Sequence, residues 1–85
     1  MKSTQYSCDG FHSVRAADIT HAAQLFAVQM ARRKYGPKGR CRSVQLVLGM
    51  PAVGETTFEA FLGVLDGVAW RGGKSRFTVR PSPLG

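Results

Sequence analysis

The chain has 85 residues and a net charge of +7, and 44% of its residues are hydrophobic. This length leaves room for one small domain with a thin core, which disfavours an enclosed catalytic pocket. The hydrophobic content argues against wholesale disorder, and the positive charge argues against a protein that mimics nucleic acid.

The first predicted element is extended chain over residues 5–15, where no helical period is visible. Asp9 and Gly10 in its middle are compatible with a tight hairpin turn or with a bulge in one strand. Because the flanking segments are short for a hairpin, we expect a single bent strand.

The second predicted element is a helix from Asp18 to Tyr35. Asp18 is a favourable N-cap, Gly36 suits a left-handed C-cap, and Pro37 stands just beyond it. Apolar residues recur at the helical spacing on one side and form the expected core face: Ile19, Ala22, Ala23, Phe26, Ala27 and Met30.

A second stripe lies on the opposite side of this helix and consists of His21, Leu25, Val28 and Arg32. A small domain has little to bury on both sides of one helix, so this stripe is a candidate contact surface. A homodimer is the simplest way to cover it, although single exposed apolar residues are also ordinary on protein surfaces.

The next segments are predicted strands. Residues 40–49 alternate, with Val44, Leu46 and Leu48 expected to face the core and Cys41, Ser43, Gln45 and Val47 expected to face away. A turn is expected over residues 50–54. Residues 56–66 are compatible with strand or helix, and the interior Gly63 and the β-favouring start favour a strand.

The remaining chain is predicted to end in a strand over residues 76–80, with Phe77 and Val79 facing the core. Turns are expected at residues 66–67 and 72–73. The element order is then β-α-β-β-β. The fold class is α+β, with one amphipathic helix packed on a small, mostly antiparallel sheet of three or four strands.

The chain is expected to form a single domain over residues 1–85, with loose ends at 1–4 and 81–85. Pro81 and Pro83 support this expectation because proline cannot donate to a sheet ladder. No signal peptide and no apolar run of membrane-spanning length is visible, so we expect a cytoplasmic protein without membrane contact.

Basic residues are concentrated in the centre of the chain. Six of the twelve lie between positions 32 and 42, and no acidic residue lies between 19 and 54. Such a cluster attracts polyanions in a salt-dependent manner, although cations in the last helical turn also complement the helix dipole. The candidate partner-binding residues are His21, Leu25, Val28, Arg32, Arg33, Lys38, Arg40 and Arg42.

A second mixture of aromatic and basic residues lies near the C-terminus. Aromatic rings and cations together suit contacts with nucleic acid or with a protein partner. The candidate residues of this second set are Trp70, Arg71, Lys74, Arg76 and Arg80.

Other site chemistries fit the sequence poorly. The glycine-rich segment 67–75 has five residues between its outer glycines where a phosphate loop has four. The histidines and cysteines lack zinc-ligand spacing, and Cys8, Asp9 and His12 do not form a plausible triad. We therefore expect a non-enzymatic protein without cofactor or metal. Cys8 and Cys41 are expected to be reduced, a disulfide between neighbouring strands being the alternative.

Four segments carry a family resemblance, namely residues 14–23, 31–36, 58–63 and 76–79. They are similar to a loose family of small β-α-β-β-β proteins encoded by phages and integrative mobile elements, which includes several anti-CRISPR proteins. The resemblance implies a non-enzymatic protein that acts by occlusion in the cytoplasm of a bacterial host. Many anti-CRISPR proteins are acidic, and this basic chain departs from them.

Two functions are therefore expected. The first is a mobile-element inhibitor that docks on a host protein or ribonucleoprotein, such as a CRISPR effector, and blocks recruitment of nucleic acid or nuclease. The second is a basic module that contacts DNA or RNA phosphates directly, with binding that weakens steeply as salt rises.

Overall fold

One helix lies against one face of a five-stranded sheet in a computed structural model that describes residues 3–47 and 55–82. The elements in chain order are β1 (Thr4–Ser7), β2 (Val14–Ala16), α1 (Ile19–Tyr35), β3 (Arg40–Leu46), β4 (Thr56–Asp66) and β5 (Ala69–Pro81). The strand order is β2-β1-β5-β4-β3, and each neighbouring pair is antiparallel. The α+β class is confirmed, whereas the expected count of three or four strands is wrong.

The extra strand comes from the N-terminal segment, which folds back on itself. β1 pairs with β2, and Tyr6 lies opposite Val14. The chain reverses between them through a turn in which the Phe11 N–H donates to the Cys8 carbonyl, and Gly10 adopts a φ of 85°. This left-handed conformation favours glycine, so the Asp9-Gly10 pair forms a turn and not a bulge in one bent strand.

The helix prediction is confirmed at both ends. The Asp18 carboxylate accepts a hydrogen bond from the His21 N–H at 2.8 Å, which satisfies one of the unpaired donors of the first turn. At the other end, Gly36 has a φ of 85°, and its N–H donates to the Arg32 carbonyl. The sequence therefore sets the length of α1 by local capping.

The core lies between α1 and the sheet. Its largest fully buried side chains are Phe26, Phe58, Leu62 and Val79. Five helix residues are buried against the sheet, namely Ala22, Ala23, Phe26, Ala27 and Ala31. Alanines predominate among them, so the helix approaches the sheet closely and the core remains thin. The predicted Ile19 and Met30 pack only at the edge of this core.

A bulge in β3 changes the predicted facing of that strand. The register shifts between Cys41 and Ser43, so both Cys41 and Val44 pack against the core. Cys41 was expected to face away, and the extra residue in the bulge brings it back to the core. Leu46 was expected to be buried but is 63% exposed near the end of this edge strand. Leu48 and the turn expected over residues 50–54 lie outside the described residues.

β4 and β5 form the long central hairpin of the sheet. The strand assigned to residues 56–66 is confirmed, and the hairpin turns at Gly67, whose φ is 68°. The second turn expected at residues 72–73 is wrong, because β5 continues without interruption from 69 to 81. Gly72 lies directly opposite Gly63, and a side chain on Gly72 would collide with the backbone of β4. The absence of a side chain at Gly72 therefore allows β4 and β5 to pair closely.

The chain ends are tied to the sheet further out than expected. Thr4 begins β1, and Pro81 ends β5 opposite Tyr6. The Ser82 N–H donates to the Gln5 carbonyl at 2.8 Å. No helix within residues 3–47 and 55–82 combines the length and apolar character that crossing a membrane requires.

Candidate functional site

The acidic side chains determine which cations are already neutralised. Arg80 contacts two of them, donating to Asp9 at 3.0 Å and to Glu55 at 3.1 Å. The hydrogen bond from Arg80 lowers the pKa of Asp9, and the same pairing raises the pKa of Arg80. Arg80 was a predicted site residue, but the structure makes it a link between β5, the N-terminal turn and the start of β4.

The other acids of the sheet are engaged in the same way. Arg76 donates to Glu59 across the β4–β5 pair at 3.4 Å, and Arg71 donates to Asp66 beside the hairpin turn at 3.3 Å. Asp18 caps the helix. These contacts account for all five acidic residues of the chain.

Six cations near the C-terminal end of α1 and the start of β3 form no ion pair among the residues that the structure describes, and four of them line surface depressions. These four are Arg32, Lys38, Arg40 and Arg42, and all of them are exposed. They belong to different elements, and the short turn between α1 and β3 brings them together. We call them the basic cluster.

The basic cluster borders two adjoining surface depressions. One has a volume of about 440 Å³ and is lined by Arg32, Lys38 and Arg40 together with Pro37, Gly39, Val64 and Leu65. The other has a volume of about 390 Å³ and is lined by Arg40 and Arg42 together with Cys41, Leu65, Val68 and Trp70. Arg40 and Leu65 line both, so the two depressions form one continuous surface that combines cations with apolar side chains.

Trp70 forms the aromatic part of this surface. It lies directly opposite Leu65 in the β4–β5 pair, on the face of the sheet that α1 does not cover. A Cβ atom on Gly63 would lie 2.8 Å from the Cε2 atom of Trp70, so the indole packs directly on the glycine. Gly63 is accordingly buried although it is on the uncovered face. The Arg42 guanidinium carbon lies 5.5 Å from the indole centroid.

The uncovered face carries a second aromatic ring farther along the sheet. We call this the open face, and on β4 it includes Thr57, Glu59, Phe61, Gly63 and Leu65, which alternate with the buried residues of that strand. Phe61 is partly exposed there, and the Lys74 Nζ atom lies 5.7 Å from its ring centroid. Ring and cation thus lie together at two places on this face.

The outer stripe of the helix offers less apolar surface than the sequence predicts. His21 is exposed, and Val28 is 37% exposed. Leu25, however, is only partly exposed and packs against the core of its own subunit. The core of the same subunit therefore shields Leu25 in part, and Val28 is the one apolar residue of the stripe that is clearly exposed.

Arg33 also differs from its predicted role. Its guanidinium donates to the Gly10 carbonyl at 2.8 Å and stacks 4.2 Å from the centroid of the Phe11 ring. Phe11 in turn packs edge-on against Phe26. Arg33 therefore links the β1–β2 turn to the helix. Its neighbour Arg32 instead lines one of the depressions beside the basic cluster.

The structure joins parts of the two predicted residue sets. Arg32, Lys38, Arg40 and Arg42 from the first set meet Trp70 from the second, whereas Arg71, Arg76 and Arg80 are held by acids. Sequence reasoning missed Leu65 and Val68, which are 54% and 101% exposed beside the hairpin turn. The sequence does contain a sign of this exposure, because these two large apolar residues directly flank the polar turn Asp66-Gly67.

The surface combines cations, apolar side chains and one thiol. Cys41 lines one depression, but burial raises the pKa of its thiol, which is therefore protonated at neutral pH. Cys8 follows β1, three strand positions from β3, and both cysteines are free. Within the described part of the chain, no group of three or more His, Cys, Asp or Glu side chains is placed to hold a metal ion.

Comparison with known proteins found no matching family model, no matching curated protein and no matching solved structure.

Proposed function

We propose that this chain is a nucleic-acid-binding protein that contacts phosphates through the basic cluster. The observation that carries the proposal is the distribution of charge. All five acids are engaged with other partners, while Arg32, Lys38, Arg40 and Arg42 form no ion pair among the described residues. Adjacent uncompensated cations create a positive potential that concentrates polyanions.

The apolar neighbours of the cluster support nucleic acid over a purely electrostatic surface. An exposed salt bridge or a solvated charge needs no aromatic ring beside it, yet Trp70 lines the same depression as Arg40 and Arg42. Cations beside an aromatic ring are typical of surfaces that bind a nucleic-acid backbone and its bases together.

The test is a binding titration of a fluorescein-labelled oligonucleotide followed by anisotropy at several salt concentrations. Four phosphate contacts predict a plot of log K against log salt with a slope of about −3. Arg40→Gln is expected to weaken binding and to make the slope shallower by about 0.7.

Arg15→Gln supplies the matched control. Arg15 is also exposed and forms no ion pair among the described residues, but it lies on β2 at the opposite edge of the sheet from β3. We expect its affinity and salt slope to equal those of the wild type. Absence of binding at low salt, or equal losses for the two variants, would refute the proposal.

A second candidate function is the mobile-element inhibitor that docks on a host protein or ribonucleoprotein. One observation favours it, namely the wholly exposed Val68 beside arginines, because apolar residues with arginine are typical of protein interfaces. We expect a protein partner to survive nuclease treatment and a salt concentration of about 0.5 M, at which exposed charges are strongly screened. It should be captured by the wild type and lost by Val68→Glu.

A further inference from the structure

We infer that the open face takes single-stranded nucleic acid, with unpaired bases stacking on Trp70 and Phe61 while the basic cluster holds the adjoining phosphates. This inference rests on the proposed function and adds the form of nucleic acid and the way in which it is read.

The two rings are spaced for successive bases. Phe61 and Gly63 are two residues apart on the same face of β4, and the Trp70 indole lies on Gly63. Two residues along a strand correspond to about 7 Å. A single strand whose bases are spread apart can therefore place neighbouring bases on the two rings, as it does on other sheet surfaces with exposed aromatic residues.

Each ring has a cation beside it. Arg42 lies 5.5 Å from the Trp70 centroid, and Lys74 lies 5.7 Å from the Phe61 centroid. Neither cation forms an ion pair among the described residues. A base that stacks on a ring brings its own phosphate near such a cation, so the repeated pair of ring and cation matches the repeat of base and phosphate.

The carboxylates of this end of the sheet do not oppose a polyanion strongly. Glu59 is paired with Arg76 and Asp66 is paired with Arg71, so each negative charge is compensated locally. The strand can then run from Phe61 past Trp70 to Arg40, and it meets increasing positive charge on that path.

The geometry disfavours a duplex. In double-stranded nucleic acid the faces of the bases are stacked inside the helix and are unavailable to a ring on the surface of a sheet. Trp70 packs on Gly63 and cannot intercalate as a wedge without leaving that contact. A duplex can therefore use only the cations of this surface.

The single tryptophan of the chain makes the inference directly measurable. We expect an oligothymidine of about ten nucleotides to quench the Trp70 fluorescence on binding. We also expect a duplex of the same length to bind at least about tenfold more weakly and to leave the fluorescence unchanged. Trp70→Leu and Phe61→Leu should each weaken single-strand binding about fivefold or more, with the salt slope retained.

The outcomes separate this inference from the proposed function. Duplex affinity equal to single-strand affinity, or binding without quenching, overturns the inference while the loss in Arg40→Gln still supports phosphate contact. No binding of either form at low salt overturns both. If Trp70→Leu lowers the melting temperature, the affinity of Phe61→Leu decides the matter, since Phe61 lies outside the glycine contact.

Discussion

The absence of a side chain at Gly63 affects both the pairing of β4 with β5 and the packing of Trp70 on the candidate surface. In the wild type Gly63 lacks a side chain on the open face, which allows the Trp70 indole to lie against the backbone. The substitution Gly63→Ala places a Cβ atom 2.8 Å from Cε2 and from Cζ2 of that indole, and closer still to the Arg71 carbonyl oxygen. Because ordinary contacts between carbon atoms are about 3.5–4.0 Å, the ring must lift and β5 must shift locally.

The expected cost follows from this overpacking. Inserting a methyl group into a site without space typically destabilises a protein by about 1–3 kcal/mol. For a domain of this size each kcal/mol lowers the melting temperature by about 4–8 °C, so a central value of about 2 kcal/mol corresponds to about 8–16 °C. The lifted indole should also change its fluorescence emission, because its exposure to water increases.

Thermal unfolding followed by circular dichroism and by tryptophan emission measures both effects, and Gly73→Ala is the matched control. Gly73 is also an interior glycine of the β4–β5 hairpin, but a Cβ atom there meets nothing within 4 Å. Replacing it is expected to be neutral or to stabilise by about 0.5 kcal/mol. The packing of Trp70 on Gly63 would be refuted if Gly63→Ala had the same melting temperature as Gly73→Ala and the tryptophan emission of the wild type.

Four further outcomes are expected. Gly36→Ala should lower the free energy of unfolding by about 1–3 kcal/mol in urea titrations, because φ 85° and ψ −171° are accessible almost only to glycine. Arg80 lowers the pKa of Asp9, so its stabilisation is present above about pH 4 and is lost as pH falls through the folded pKa. Asp9→Asn should remove that part of the acid dependence of the melting temperature. Val68→Glu, at a wholly exposed position beside the basic cluster, should weaken nucleic-acid binding severalfold with an unchanged melting temperature. Burial raises the pKa of the Cys8 thiol, so a disulfide reagent should modify it at pH 8 far more slowly in the native than in the unfolded protein.

The helix and the C-terminal strands of the fold were predictable because their signals are local. Asp18 and Gly36 cap the helix through contacts within a few residues, and the alternation around Phe58 and Phe77 persists over several positions. The N-terminal hairpin escaped prediction for the opposite reason. Its strands have four and three residues, too few for alternation to distinguish two paired strands from one bent strand.

The two glycines Gly72 and Gly73 show a different limit. A glycine pair in a sequence is a signal for a turn, but here the long partner strand overrides it. The reason lies in the pairing of Gly72 with Gly63, which places two residues without side chains opposite each other. Such a requirement depends on strand register, which local sequence does not contain.

The sequence predicted which types of residue form the candidate site, but not which individual residues lie together in it. Charge clustering identified Arg40 and Arg42, and the mixture of aromatic and basic residues identified Trp70. Only the hairpin register places Trp70 beside the start of β3, where the two groups meet. Arg33 shows the converse, since it follows Arg32 of the basic cluster in sequence while its own guanidinium donates to the Gly10 carbonyl.

The positions of the acids, more than those of the bases, define the surface. Cations are spread over much of the chain, and a basic residue on each strand alone would give no preferred site. Arg71, Arg76 and Arg80 are compensated because Asp66, Glu59 and Glu55 face them. No acidic residue occurs between positions 19 and 54. The cations that the α1–β3 turn brings together therefore have no acidic neighbour in sequence to compensate their charge. The positive potential at this end of the sheet therefore follows from an absence of acids in the central sequence, which the fold converts into a concentration of positive charge in space.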